Sequence, residues 1–169
     1  MRFDTLRDLY ISQLQNMHHA ERQVARVLEK LAQSSNNKRL QRGFLDHLEE
    51  THRQIDRLEE ILDSLGQKQR DVSCHAMEGI VAEAEYLMQV DAQPNAHDAA
   101  LIAAAQKAEH YEIATYGTLK AYAKLLGEER ARRLLEESEN EEVAADRKLT
   151  GLAMEVCNPE ARNEPHPKL

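Results

Sequence analysis

Apolar positions recur at intervals of three and four through most of the chain, the spacing of one face of an α-helix. Residues 4–34 carry the stripe Tyr10, Leu14, Met17, Glu21, Val24, Leu28 and Leu31, which Ser34, Ser35, Asn36 and Asn37 interrupt with cap- and turn-forming side chains. A second helix is expected over 37–65, with the stripe Phe44, Leu48, Thr51, Ile55, Leu58 and Leu62 and Gly66 as its C-terminal cap. Residues 67–95 break the pattern, with a polar opening, a short helical patch over 74–89, then Asp91, Pro94 and Asn95. A third long helix follows over 96–126, with Ile102, Ala105, Glu109, Glu112, Tyr116, Leu119, Ala123 and Leu126 on one face, ended by Gly127. The fourth spans 128–155 through Leu135, Ser138, Glu142, Ala145, Leu149 and Leu152, and Asn158 and Pro159 should stop it. The domain is thus expected over 1–157, with 158–169 a frayed tail.

The connection lengths constrain topology. Helices joined by a few residues must be antiparallel neighbours, which pairs the first with the second and the third with the fourth. Between the pairs lie about 29 residues, enough to return along a helix of about 44 Å at 1.5 Å per residue. Two antiparallel pairs joined by one long crossover with a short fifth helix give an all-α fold with the connectivity of ferritin-like four-helix bundles.

Composition sharpens this picture. The 169 residues include 6 Gly and 4 Pro, too few for a loop-rich β fold, and 41% hydrophobic against 31% charged residues excludes a disordered chain. The formal net charge of −8, with no extended basic run, argues against nucleic acid and anionic membranes as partners. No apolar stretch is long enough to span a bilayer, and MRFDTLRDLY lacks the apolar core of a secretion signal. Two cysteines, Cys74 and Cys157, make neither a disulfide framework nor a zinc motif, so a reducing cytoplasm is expected.

The chemistry lies where leucines would be expected. Glu21 sits mid-stripe on the first helix, Glu109 and Glu112 on the third, and Glu142 on the fourth, with Asp146 one turn further on. Clustered buried carboxylates repel one another and lose hydration. No Lys or Arg occupies a stripe position to neutralise them. A divalent cation reverses the balance, and Glu109-x-x-Glu112 puts two such ligands on one helix face. Oxygen and imidazole ligands without thiolates suit iron, two ions being expected, or alternatively manganese. The second helix offers two pairs. Glu49-x-x-His52 has the usual order, but Glu49 points roughly 140° from the stripe centre at 100° per residue. His47-x-x-Glu50 is reversed, with His47 roughly 60° and Glu50 roughly 120° off.

The segments ISQLQNMHHAERQV, HLEETHRQIDRLEEIL, CHAMEGIVAEAE, DAALIAAAQKAEHYEIATYGTLKAYAKLLG and LLEESENEEVAADRKLTGLA together cover nearly the whole chain. They resemble the YciE/YciF family of bacterial ferritin-like stress proteins, closest to its YciF branch. The resemblance implies a four-helix core with a fifth short helix, a homodimer, a di-iron-type site and a link to stress response. The family's H-x-x-E-T pattern in the second helix favours His47 and Glu50 as ligands. Glu109-x-x-Glu112 also resembles the third helix of rubrerythrin, but here Arg53 and Ala145 stand where its second and fourth helices carry histidine, and its Cys-x-x-Cys module is absent. The candidate metal ligands are therefore Glu21, His47, Glu50, Glu109, Glu112, Glu142 and Asp146. The expected function is oxidation of Fe(II) or reduction of peroxide at this centre, with oxygen or peroxide as the small oxidant. The alternative is a non-catalytic structural or interaction protein of the stress response that retains a structural metal.

Overall fold

The computed structural model describes residues 2–70 and 72–164. The described residues contain six α-helices and no strand: α1 (Leu6–Ser34), α2 (Lys38–Ser64), α3 (His75–Leu87), α4 (Pro94–Leu125), α5 (Glu129–Leu152) and α6 (Asn158–Arg162). α1 packs chiefly on α2 and α4 on α5, forming two hairpins that close face to face, while α3 lies in the crossover against α1 and α4.

Local chemistry explains the helix ends. Thr5 and Asp8 form a reciprocal capping box at the start of α1. Gly66 (φ 66°) and Gly127 (φ 75°) terminate α2 and α4 in the left-handed region. There Gln67 N–H reaches Leu62 O and Glu128 N–H reaches Ala123 O, both at 2.9 Å, the long closing bond of a Schellman turn.

Two buried polar side chains tie the hairpins together. Asp98 on α4 is fully buried, and its carboxylate accepts the Asn36 and Asn37 backbone N–H groups, each at 2.8 Å. A carboxylate thereby sits against the positive end of α2 and holds the three-residue turn between α1 and α2. Gln15 on α1 does the same for the crossover, donating to Lys68 O and accepting from Arg70 N–H, both at 2.8 Å. Val27 is buried, and Ile80 and Val81 of α3 pack with it against α1 and α4.

The C-terminal segment departs from expectation. Instead of fraying after Cys157, α5 widens into a π-helical turn over Ala153–Cys157, and Asn158 N–H bonds to Ala153 O. The wider turn makes room for Pro159, whose ring would clash with the carbonyl four residues back in a regular helix. α6 follows, and Glu164 accepts the backbone N–H groups of Asn95 (2.8 Å) and Ala96 (3.1 Å), capping α4. Residues 165–169 of the expected tail lie outside the described residues.

On α2 the buried face is rotated from the expected stripe. His47, Thr51, Gln54, Leu58 and Ile61 are buried, whereas Leu48 and Ile55 are only partly so. Polar residues occupy the true centre of this face, so a hydrophobic pattern alone placed it too far round.

Candidate metal centre

The rotation of α2 brings His47 into the bundle. One ligand atom each from His47, Glu109, Glu112 and Glu142 lies within 4.8 Å of the others, and all four residues are buried. Glu21 joins from α1 beside Glu112, fully buried, and its Oε1 accepts a short hydrogen bond from the Tyr116 hydroxyl. All four core helices therefore contribute to one polar locus within the apolar core.

The locus is undercompensated. Glu21 Oε2, His47 Nε2, Glu109 Oε2, both oxygens of Glu112 and Glu142 Oε2 are buried without a hydrogen-bond partner. His47 Nε2 lies 3.2 Å from Glu109 Oε2 and 3.5 Å from Glu142 Oε2. Among the described residues no Lys or Arg pairs with any of these four glutamates; Arg57, a nearby candidate, is engaged by Glu141 at 2.6 Å and Glu137 at 2.7 Å. Each unsatisfied buried polar group costs about 1–3 kcal/mol, so such a cluster persists only where something else balances it.

Proton affinities follow. Burial, reinforced by Glu142, Glu21 and Glu109, raises the Glu112 carboxyl well above the usual range. Burial likewise raises Glu142 well above it, and pushes Glu21 up to about 7 against the lowering bond from Tyr116. Burial alone would depress His47, but the carboxylates of Glu109 and Glu142 outweigh it and hold the ring protonated well above its ordinary value. Glu109 moves the other way: burial works against its charge, but the adjoining His47 lowers it. The metal-free centre thus keeps itself near neutral by holding protons.

The other expected ligands are placed differently. Glu50 is partly exposed behind His47, with Oε2 3.3 Å from Nδ1, so it orients the ring and lies outside the cluster. Asp146 faces α4, accepting from Gln106 at 2.9 Å and lying 3.4 Å from His110. Glu49 and His52 both face solvent. His18 pairs with Glu59 at 3.0 Å, away from Glu21.

Two residues that matter here are not readable as ligands. Gln54 is fully buried and donates a short hydrogen bond to Glu142 Oε1 and a second, of 3.1 Å, to Glu141. Tyr116 sits in the middle of an apolar stripe and reads as core, but its hydroxyl orients Glu21. For Gln54 the signal was present, since it lies one turn from Thr51 and Leu58 on the same face.

A narrow cleft of about 20 Å³ leads toward the centre between α2 and α5, lined by Gly43, Phe44, His47, Glu109, Ala145, Lys148 and Leu149. No helix among the described residues is long and apolar enough to cross a membrane.

Comparison with known proteins gives a consistent placement. The chain is 44% identical to protein YciF of Escherichia coli over 165 residues, 97% of this chain and 99% of that one. The crystal structure of the E. coli stress protein YciF superposes with a TM-score of 0.89, covering 92% of this chain and 99% of that one. YcfI from Rhodopseudomonas palustris superposes at 0.83 with 42% identity, covering 87% and 94% of the two chains. A Xanthomonas campestris protein of 18% identity shares the fold at a TM-score of 0.76, covering 92% and 95%. The model of a family described as a domain of unknown function, DUF892, matches residues 5–162. The chain belongs to the DUF892 family and is a relative of YciF.

Proposed function

We propose that this protein is a metal protein of the bacterial stress response with a centre held by carboxylates, using iron, or alternatively manganese, to react with oxygen or peroxide. The observation that carries the reading is the set of buried, unpartnered ligand atoms on Glu21, His47, Glu109, Glu112 and Glu142. Four carboxylates and one imidazole form a hard oxygen and nitrogen donor set, which fits iron or manganese and not a thiolate-seeking ion. The link to stress rests on the relationship to E. coli YciF, which is described as a stress protein.

His47, Glu109, Glu112 and Glu142 would hold the metal, with Glu21 completing the set through Glu112. Glu112, whose two oxygens both lack a hydrogen-bond partner, would offer both of them to the metal. A bound redox-active ion supplies electron transfer to a small oxidant. The chain's own part is to position and to manage protons. Glu50 accepts from His47 Nδ1–H and leaves Nε2 facing the carboxylates. Tyr116 donates to Glu21 and Gln54 to Glu142, so each of these carboxylates keeps one oxygen for coordination. Leu14, Met17, Val24 and Leu28 on α1 and Leu119 on α4 are buried with the locus and keep bulk water from it.

The test is metal content by plasma mass spectrometry of untagged protein from cells supplied with iron and manganese, followed by anaerobic Fe(II) titration. About two ions per chain, with oxidation on adding oxygen or peroxide, is the expected result. No uptake would overturn the reading.

A second reading has its own support. The site offers a single imidazole, because Glu50 and Asp146 are turned away, and the relative YcfI carries a provisional designation as a structural protein. A single structural ion without turnover is the corresponding outcome: metal removal would then lower the melting temperature without abolishing any reaction.

A further inference from the structure

The first turn of α2 carries two exposed cations, while the carboxylate that meets its N-terminus comes from Asp98 of α4. The N-terminus of a helix favours acidic side chains, and α1, α3 and α5 each place one there, in Asp8, Glu78 and Glu129. α2 begins instead with Lys38 and Arg39, both exposed, and has no acidic residue in its first turn. Among the described residues neither forms an ion pair. One turn on, Arg42 faces Lys148 of α5, with Asp46 2.6 Å from Arg42 and 3.1 Å from Lys148.

These side chains line one open groove of about 500 Å³ between the start of α2 and the end of α5, a size suited to a small-molecule ligand. Lys38, Arg39, Arg42 and Lys148 face it against only Asp46 and Glu155. A surplus of positive charge is thus gathered at one point of a chain whose net charge is −8. Gly43 and Gly151 line the same groove and keep it free of side-chain bulk.

The groove adjoins the cleft to the centre. Gly43 and Lys148 wall both. The cleft is lined on its inner side by His47 and Glu109, two residues of the buried cluster. A ligand in the groove would sit beside the cleft that these residues line.

We infer that the α2–α5 groove is a binding site for a phosphate-class anion, held by Lys38, Arg39 and Arg42 and seated beside the cleft to the buried cluster. Lys38 and Arg39 supply unpaired charge; the backbone N–H groups at the start of α2 are already met by Asp98 and the Asn37 side chain and add nothing to it. Arg42 contributes guanidinium donors in the fork that suits phosphate oxygens. Lys148 stays paired with Asp46 as the rim of the cleft. The inference needs no metal, so it stands apart from the proposed redox reaction.

Inorganic phosphate is the probe. Backbone amide shifts of the full chain, followed by NMR during phosphate titration at low chloride, should move saturably at Lys38, Arg39, Arg42, Gly43 and Lys148. The double variant Lys38→Glu/Arg39→Glu, at exposed positions that leave the core untouched, should weaken binding at least about tenfold, with unchanged amide shifts elsewhere. Sulfate at equal ionic strength should compete, and sodium chloride at that strength should not reproduce the shifts. Absence of saturable shifts in this groove, or equal binding by the double variant, would overturn the assignment.

Discussion

His47 Nε2 stops 3.2 Å from Glu109 Oε2, close enough for strong charge attraction but too poorly aligned for a hydrogen bond. Both atoms belong to buried side chains, and both are aimed at a space that Glu112 and Glu142 also face. A fold that merely tolerated these groups would have turned them toward donors. This one uses its donors on the far oxygens, through Tyr116 on Glu21 and Gln54 on Glu142.

The pH dependence of the metal-free protein has a definite sign. Glu21 titrates near 7 when folded against an ordinary value of 4.5, and Glu112 and Glu142 are raised as well. The folded state therefore holds protons that the unfolded chain has released, and stability falls as pH rises through this window. His47 adds the same sign, since the stability from its raised value is present below its unfolded value of 6.5 and is lost as pH climbs through the folded one. Glu109, lowered, acts only at the acid end, where its contribution disappears as pH drops through its folded value. With chelator present, the melting temperature should decline from about pH 5 to about pH 8. With Fe(II) or Mn(II) under anaerobic conditions it should rise over the same range, because binding displaces the protons. Parallel profiles in the two conditions would count against the site.

Glu112→Leu should separate function from stability. The substitution removes two buried, unsatisfied oxygens at similar volume. In chelator the variant should gain about 1–3 kcal/mol, a rise of about 3–10 °C in Tm for a chain of this size. The stabilisation by added metal expected of the parent should vanish. Calorimetry of both proteins with and without Mn(II) checks both halves; a large loss of stability in chelator would mean that Glu112 serves packing instead.

Glu50 acts on the centre through His47. Without its carboxylate 3.3 Å from Nδ1, the ring loses its fixed orientation. Glu50→Ala should weaken metal affinity about 10–100-fold while leaving the number of ions bound at saturation unchanged. Isothermal titration with Mn(II) distinguishes this from Glu109→Ala, in which a ligand itself is lost and the stoichiometry or all binding should change.

Asp98 holds the α1–α2 turn through two backbone bonds of 2.8 Å. Asp98→Ala removes the acceptor of both part-buried backbone donors and should cost about 1–2 kcal/mol. Chemical denaturation measures it, and the metal stoichiometry should survive, since the turn lies at the end of the bundle.

Gly43 lies inside α2, where glycine costs roughly 0.5–1 kcal/mol relative to alanine. An added Cβ would meet Leu152 Cδ1 at 3.7 Å and Lys148 Cε at 4.0 Å, ordinary contacts. Gly43→Ala should therefore stabilise the protein by about that amount. The same methyl narrows the cleft toward His47, so Mn(II) uptake followed by stopped flow should slow while affinity is kept. Equal uptake rates would show that metal reaches the centre by another path.

Much of this protein is legible in its order of residues. Helices form where apolar residues recur at the helical period, Gly66 and Gly127 end two of them because only glycine adopts those positive φ values cheaply, and one long linker between two short ones dictates the crossover. The same pattern marked Glu21, Glu109, Glu112 and Glu142, because a carboxylate inside an apolar stripe is costly enough to be noticed. What it could not decide was the rotation of α2. Both Glu49-x-x-His52 and His47-x-x-Glu50 suited a metal by spacing, and apolar residues on that helix pointed toward Leu48 and Ile55. Only packing of α2 against α1 and α5 buried His47 and Gln54 and left Leu48 and Ile55 at the edge. The tertiary structure likewise turned Asp146 to Gln106 and Glu50 to the back of His47. Periodicity along one helix is a local property, but the side chain that meets a carboxylate on a neighbouring helix is settled by how the helices rotate against each other, and that rotation minimises the energy of the whole core.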